Sequence, residues 1–332
     1  MTLSNRLIKY ADLIPCTNAF IDTRSPGSDK KENFTLIGPG VAENPDQHIH
    51  ISIPHGFNIG GARQPKGCLN SKHSHLTEEV FVVHQGTWVF TSGANVDDGR
   101  VILTEGDIIS IPIDIFRGFE NVGEDIGYLH AVLGGDDPGR VLWAPAVFDL
   151  AKEHGLVLLE DGSLVDTTLG EKVPEGKKPM PVTSAEQIGQ HRVVNSLEME
   201  PIVQRTDTFD WAKNNCLAQF NGVVEVALVG AESSAEDLPA SKLNWSHKFV
   251  VRGLKLAEKA KVNDHIRYEE EVIFVHQGEV NIQVDGENLT LGKGDTFTTP
   301  IGSTRSFTQK GKEDCILYIT RRHDQPKAPK FI

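Results

Sequence analysis

Short runs of β-branched and aromatic residues, punctuated by glycine and aspartate, set the pattern of the chain. Glu79–His84 (EVFVVH), Thr87–Thr91 (TWVFT), Val101–Thr104 (VILT), Asp107–Pro112 (DIISIP) and Tyr128–Leu133 (YLHAVL) each read as a strand. Their brevity and spacing predict an all-β sandwich or barrel. Helical signals fall only in the connections. Pro145–His154 opens with a proline suited to a first helical turn and stops at Gly155, and Ser184 precedes Gln187 with capping-box spacing. Between them, Leu156–Thr167 reads as a hairpin about an Asp-Gly turn, and Gly170–Pro181 is rich in Pro, Gly and Lys and reads as a loop.

The pattern then repeats. His73–Gly86 (HSHLTEEVFVVHQG) is matched 192 residues later by His265–Gly278 (HIRYEEEVIFVHQG), with Phe57/Phe249, Gly61/Gly253 and Glu79/Glu271 in register. A second block, Glu105–Asn121, is matched by Lys293–Gln309 at an offset of 188. The four lost residues fall in an Asp/Gly-rich turn, where length changes are tolerated. Two equivalent β domains follow: an N-terminal barrel over 1–136, a linker with helix and hairpin over 137–194, and a C-terminal barrel over 195–332.

Alternate side chains of a strand share a face, so His73 and His75 point the same way and can meet Glu79 from a neighbouring strand. Two neutral imidazoles and a carboxylate suit a divalent first-row metal. The spacing from Gly67 through His73, His75 and Glu79 to Gly86 resembles the first motif of the cupin superfamily, and Gly106, Pro112 and Asn121 resemble its second. Because the resemblance covers both halves, it implies a bicupin: two antiparallel jelly-roll barrels in one chain, with short helices in the linker.

The departures from the family pattern bear on function. Arg117 occupies the second motif's histidine position, and Asp114 that of a glycine. In the second half Arg267 and Arg305 replace two histidines, Lys259 a glycine and Gln309 the terminal asparagine, so only His265 and Glu271 survive. Arginine keeps its proton and is no ordinary ligand. The expectation is one metal, held by His73, His75 and Glu79 in the N-terminal barrel, with Arg117 facing the same cavity to clamp an anionic substrate. No metal is expected in the C-terminal barrel, where Glu271 pairs with Arg267 or Arg305. Two guanidiniums against one carboxylate leave a charge surplus. Unless Glu269 or Glu270 turns inward, His265, Arg267, Glu271 and Arg305 would form an anion site.

Other histidines are weaker candidates. His84 and His276 recur at strand ends on the face opposite Glu79 and Glu271; His48 and His50 lack an acid at a useful distance; His130 is a candidate replacement ligand. Cys16, Cys68, Cys216 and Cys315 are scattered, without disulfide or zinc-site spacing. The formal net charge of −13 argues against nucleic acid and anionic lipid. Without an apolar leader or spanning stretch, a cytoplasmic location is the expectation. No nucleophile elbow, phosphate loop or dinucleotide fingerprint is present.

The resemblance implies a metal-dependent enzyme on a small anionic molecule, first of all a non-haem iron(II) dioxygenase, with manganese, nickel or zinc as other metals. A non-redox decarboxylase or isomerase is the alternative, and a non-catalytic small-molecule-binding bicupin a third reading. A homodimer is left open.

Overall fold

The computed structural model describes residues 3–332. The chain divides into two compact units, residues 14–52 with 58–203 and residues 3–13 with 53–57 and 204–332. Each is a pair of facing antiparallel sheets built in the same strand order.

In the first unit, Ile108–Ile111, Glu79–Gln85, Gly127–Gly134, Phe57–Gln64 and Glu32–Ile37 are bonded in that order, and Ile49–Ile51 adds a parallel edge. The facing sheet runs Leu142–Trp143, Leu69–Ser74, Arg117–Asn121, Trp88–Ser92, Gly99–Leu103. Phe81, Val83, Ile109, Ile111, Leu129 and Ala131 from the first sheet meet Trp88, Phe90, Val101, Leu103 and Phe119 from the second. These are the alternate positions of the apolar runs, turned inward by the two-residue period of a strand.

The second unit repeats the order with Thr296–Thr299, Glu271–Gln277, Cys315–Arg322, Phe249–Leu256 and Val223–Val229, facing Glu287–Leu291, Glu279–Val284, Thr304–Lys310 and Lys261–Ile266. Val262, Ile273, Val275, Ile282, Phe297, Phe307, Leu317 and Ile319 fill its interior. The chain is therefore all-β, two jelly-roll barrels in tandem.

The turn before each histidine-bearing strand needs a left-handed residue. Gly67 takes it at φ 73°, and Lys259, its counterpart, at φ 64°. A non-glycine residue there costs about 1–2 kcal/mol. The Lys259 N–H donates to Gln309 Oε1 at 2.8 Å, which ties this turn to the end of the neighbouring strand.

The unit boundaries differ from those read in the sequence. Residues 3–13 belong to the second barrel, not the first. Leu7–Ile8 pairs with the edge strand at Phe297 and Thr296, Lys9 Nζ donates to Asp295 at 2.7 Å, and Arg6 donates to Thr298 at 3.1 Å. Covering that edge satisfies a row of otherwise unpaired backbone groups. The 137–194 segment packs onto the first barrel instead of standing free. Trp143, Val147, Ala151, Leu156 and Leu158 cluster with Ile21 and Phe116. Its parts form where expected: helix Pro145–Glu153, hairpin Leu156–Leu158/Leu164–Asp166, and helix Ala185–Gly189 with its capping box from Ser184. A second capped helix, Ser196–Met199, buries Met199 in the first core and carries that unit on to Val203.

Candidate metal centre

His73 lies on Leu69–Ser74, opposite Arg117 on one side and Trp143 on the other. His75 follows that strand directly, and Glu79 opens the next one, opposite Leu133 and Ile111. One ligand atom from each of His73, His75 and Glu79 lies within 4.8 Å of the others, and all three residues are buried. They line a cavity of about 80 Å³.

His73 is held in one orientation. Its Nδ1 lies 2.7 Å from the Ser71 carbonyl, which fixes the proton on Nδ1 and leaves Nε2 as the lone-pair donor. Trp143 packs over the ring at 5.3 Å between centroids. The Ser71 N–H in turn donates to Asp22 at 3.0 Å; Asp22 is ion-paired with the buried Lys31, which also donates to Asn70 at 2.9 Å. His75 Nε2 sits 3.6 Å from Glu79 Oε2, and its buried Nδ1 has no hydrogen-bond partner. Burial, reinforced by the positive charge of Arg117, lowers His73 to about 3 and His75 well below its ordinary range. Both imidazoles are therefore neutral near pH 7, as a metal ligand must be. Burial also raises Glu79, against the pull of Arg117.

Arg117 is placed differently from the expectation. Its Nε and Nη2 both donate to Glu79 Oε2, at 3.2 and 2.7 Å, and Nη1 to the Ile115 carbonyl at 3.4 Å. It is fully buried and is not among the residues lining the cavity. A buried guanidinium needs a counter-charge, and the nearest carboxylate supplies it. Two neutral imidazoles, one tautomer already set, and a carboxylate fit a three-ligand metal site, with an arginine standing behind its carboxylate.

His130 does not join the group. Ala131 and Leu133 line the cavity, so His130, between Leu129 and Ala131 on the same strand, points to the opposite face. His84 packs edge-on against Tyr128 and His276 stacks on Tyr318. His50 accepts the Ile14 N–H at 3.1 Å and bonds the Thr35 carbonyl at 2.8 Å. All four cysteines are free thiols.

The second barrel fills its interior with charge. Glu271 receives Arg305 Nη1 at 2.9 Å and pairs with Arg267 Nε at 3.2 Å, which lowers it to about 2 against the penalty of burial. Two further arginines complete the network. Arg252 donates to Glu236 at 3.1 Å, and Arg321 donates to Glu236 and, at 3.1 Å, to Glu269. Arg267 also pairs with Glu236, at 3.4 Å. Glu269 faces inward and Glu236 joins it, but Arg252 and Arg321 enter with them, so four guanidiniums meet three carboxylates and a surplus of one positive charge stays beside His265, Arg267, Glu271 and Arg305. His265 lies alongside with its Nδ1 bonded to the Asn263 carbonyl at 2.9 Å and its pKa lowered by burial to about 4. Cys216, Glu225 and Glu236 also gather within 4.8 Å. Burial pushes the Cys216 thiol up to about 12, and the neighbouring guanidiniums oppose a cation there.

Glu236, Arg252 and Arg321 escaped the reading of the sequence, although the repeat held a signal for two of them. At the two offsets, Arg252 corresponds to Gly60 and Arg321 to Leu133. The register agrees: Leu133 stands opposite Glu79, and Arg321 opposite Glu271. Gly60 and Leu133 line the open cavity of the first barrel; their arginine counterparts fill the second.

Over its whole length the chain superposes on the crystal structure of Lactobacillus farciminis oxalate decarboxylase in complex with formate. The TM-score is 0.61 at 11% identity, over 90% of that chain. The architecture is that of a bicupin. A deletion mutant of Bacillus subtilis oxalate decarboxylase shares the bicupin fold at a TM-score of 0.58 and 12% identity, covering 80% of that chain. The Cupin domain family matches residues 254–320, within the second barrel. A germin-like protein of Arabidopsis thaliana (subfamily 1 member 7) is 28% identical over 143 residues, 38% of this chain and 62% of that one, so the match spans about three-fifths of the relative's length. Among the described residues no helix is long and apolar enough to cross a membrane.

Proposed function

We propose that the first barrel binds one divalent metal through His73, His75 and Glu79 and acts with it on a small organic acid in a non-redox reaction, a decarboxylation or isomerisation. The observation that carries this reading is the convergence of three buried ligand atoms within 4.8 Å on the wall of a cavity. A bound metal would supply Lewis-acid polarisation of a carboxylate or carbonyl oxygen. The chain's own residues do the rest. Ser71 holds the His73 proton on Nδ1, Trp143 keeps the ring in place, and Arg117 fixes the Glu79 carboxylate while moderating its charge. The apolar walls limit water around the reacting group.

Two solved structures of the same fold are oxalate decarboxylases, which supports non-redox chemistry over the dioxygenase expected first and removes the reason for preferring iron. The test is to reconstitute the full chain anaerobically with manganese(II), desalt it, and offer a panel of 2-oxo and dicarboxylic acids while recording carbon dioxide and oxygen. Turnover, with or without carbon dioxide release, that draws no oxygen supports the reading. Product that appears only with oxygen uptake overturns it in favour of a dioxygenase.

The Arg117–Glu79 pair favours a second reading, a metal-free barrel that binds its ligand without turning it over. A chain that retains no metal and releases every acid unchanged would establish it.

A further inference from the structure

We infer that the ligand of the first barrel is an organic acid with a branched or aromatic apolar body, and not a compact dianion. This rests on the metal-site reading for the position of the ligand's oxygen-bearing head. It goes beyond that reading in what it says of the rest of the molecule.

The walls decide it. Away from His73, His75 and Glu79 the cavity is bounded by Phe20, Phe34, Phe81, Phe119, Leu133 and Trp143. No lysine or arginine among the described residues lines it. The two buried cations of this barrel stand behind the walls, and each is committed to a carboxylate: Arg117 to Glu79 and Lys31 to Asp22. Polar groups at the wall are neutral, among them Asn33, whose buried Nδ2 has no partner. A dianion such as oxalate, seated with two oxygens at the histidines, would turn its other two toward rings and aliphatic chains. Asn33 offers such an oxygen a neutral donor but the wall offers no cation, so a second carboxylate would be buried without a counter-charge, whereas an apolar body gains from the apolar part of the same surface. The second barrel shows what a cation-bearing version of this interior looks like, because it carries Arg252 and Arg321 at the positions of Gly60 and Leu133.

The experiment compares two ligands with similar heads and different bodies. Manganese-reconstituted, desalted full-length protein is titrated calorimetrically with oxalate and with 4-methyl-2-oxopentanoate, and manganese content is measured on the same sample. The oxo acid is expected to bind at least tenfold more tightly. Leu133→Arg, which copies the arginine of the other half, should narrow or reverse that preference. Val141→Lys, at a half-buried place on the same wall, serves if the first variant does not fold. Manganese retained with oxalate bound equally well or better overturns the inference and leaves the metal site standing. Manganese lost overturns the metal site; the same pair is then titrated against the metal-free chain, where preference for the oxo acid upholds the apolar-body inference and its absence overturns it.

Discussion

Arg117 and Glu79 form a buried ion pair in which two guanidinium nitrogens share one carboxylate oxygen, at 3.2 and 2.7 Å. The second barrel repeats the pair as Arg305 and Glu271, at 2.9 Å. Both halves put a guanidinium against the glutamate. The shared pairing makes the arginine a partner of the carboxylate, and Arg117→Gln separates its two effects. The variant should lose about 3–5 kcal/mol of stability, the cost of stripping one partner from a buried pair. It should also bind metal more tightly, because a positive charge beside the ligands is gone. Denaturant unfolding and competition with a chelator measure the two effects; weaker metal binding would mean that the hold of Arg117 on the Glu79 carboxylate outweighs the repulsion from its charge.

Glu271 stands between two guanidiniums and is held at about 2. Its folded value lies below its ordinary one, so its contribution is complete above pH 4.5 and is lost as pH falls toward 2. Glu271→Gln should cost about 3–5 kcal/mol at neutral pH. The difference from the parent should shrink in acid. Melting temperatures of the two proteins at pH 7 and pH 3.5 check this, and a gap that does not depend on pH would contradict it.

Glu225 has the opposite sign. Burial, with repulsion from Glu236, raises it to about 7, so the fold favours its protonated form. Stability should decline as pH rises from 4.5 through 7, by on the order of 3 kcal/mol. Glu225→Gln should remove that decline and be more stable than the parent at pH 8. Parallel pH–stability curves for parent and variant would refute the assignment.

The repeat, the jelly-roll strands, the linker helix and hairpin, and the proximity of His73, His75 and Glu79 were legible because each rests on local periodicity or on a motif present twice. The role of Arg117 was not. Spacing placed it near Glu79, but only burial and geometry show that it has committed its donors there. Glu236 was invisible for another reason: it lies in a segment outside the repeated blocks and reaches Arg252, Arg267 and Arg321 through tertiary packing. Residues 3–13 likewise carry no motif, and the free edge at Thr296–Thr299 draws them to the second barrel.

Asp22 and Lys31 hold the segment whose carbonyl orients His73. Asp22→Asn removes the counter-charge of a buried lysine and loosens Ser71. Metal affinity should fall by about 10–100-fold, the usual effect of losing an outer partner of a ligating histidine. Chelator competition reads this directly, with circular dichroism to confirm the fold; unchanged affinity in a folded variant would detach Asp22 from the site.

His73, His75 and Glu79 are expected to hold one metal between them. The most direct measurement is elemental analysis of the full chain and of His75→Ala, each incubated anaerobically with manganese(II), iron(II), nickel(II) or zinc(II) and then desalted. One equivalent of metal retained by the parent with at least one of these ions, and essentially none by His75→Ala, is the expected result. A parent that retains none of the four, or a variant that retains as much as the parent, would contradict it.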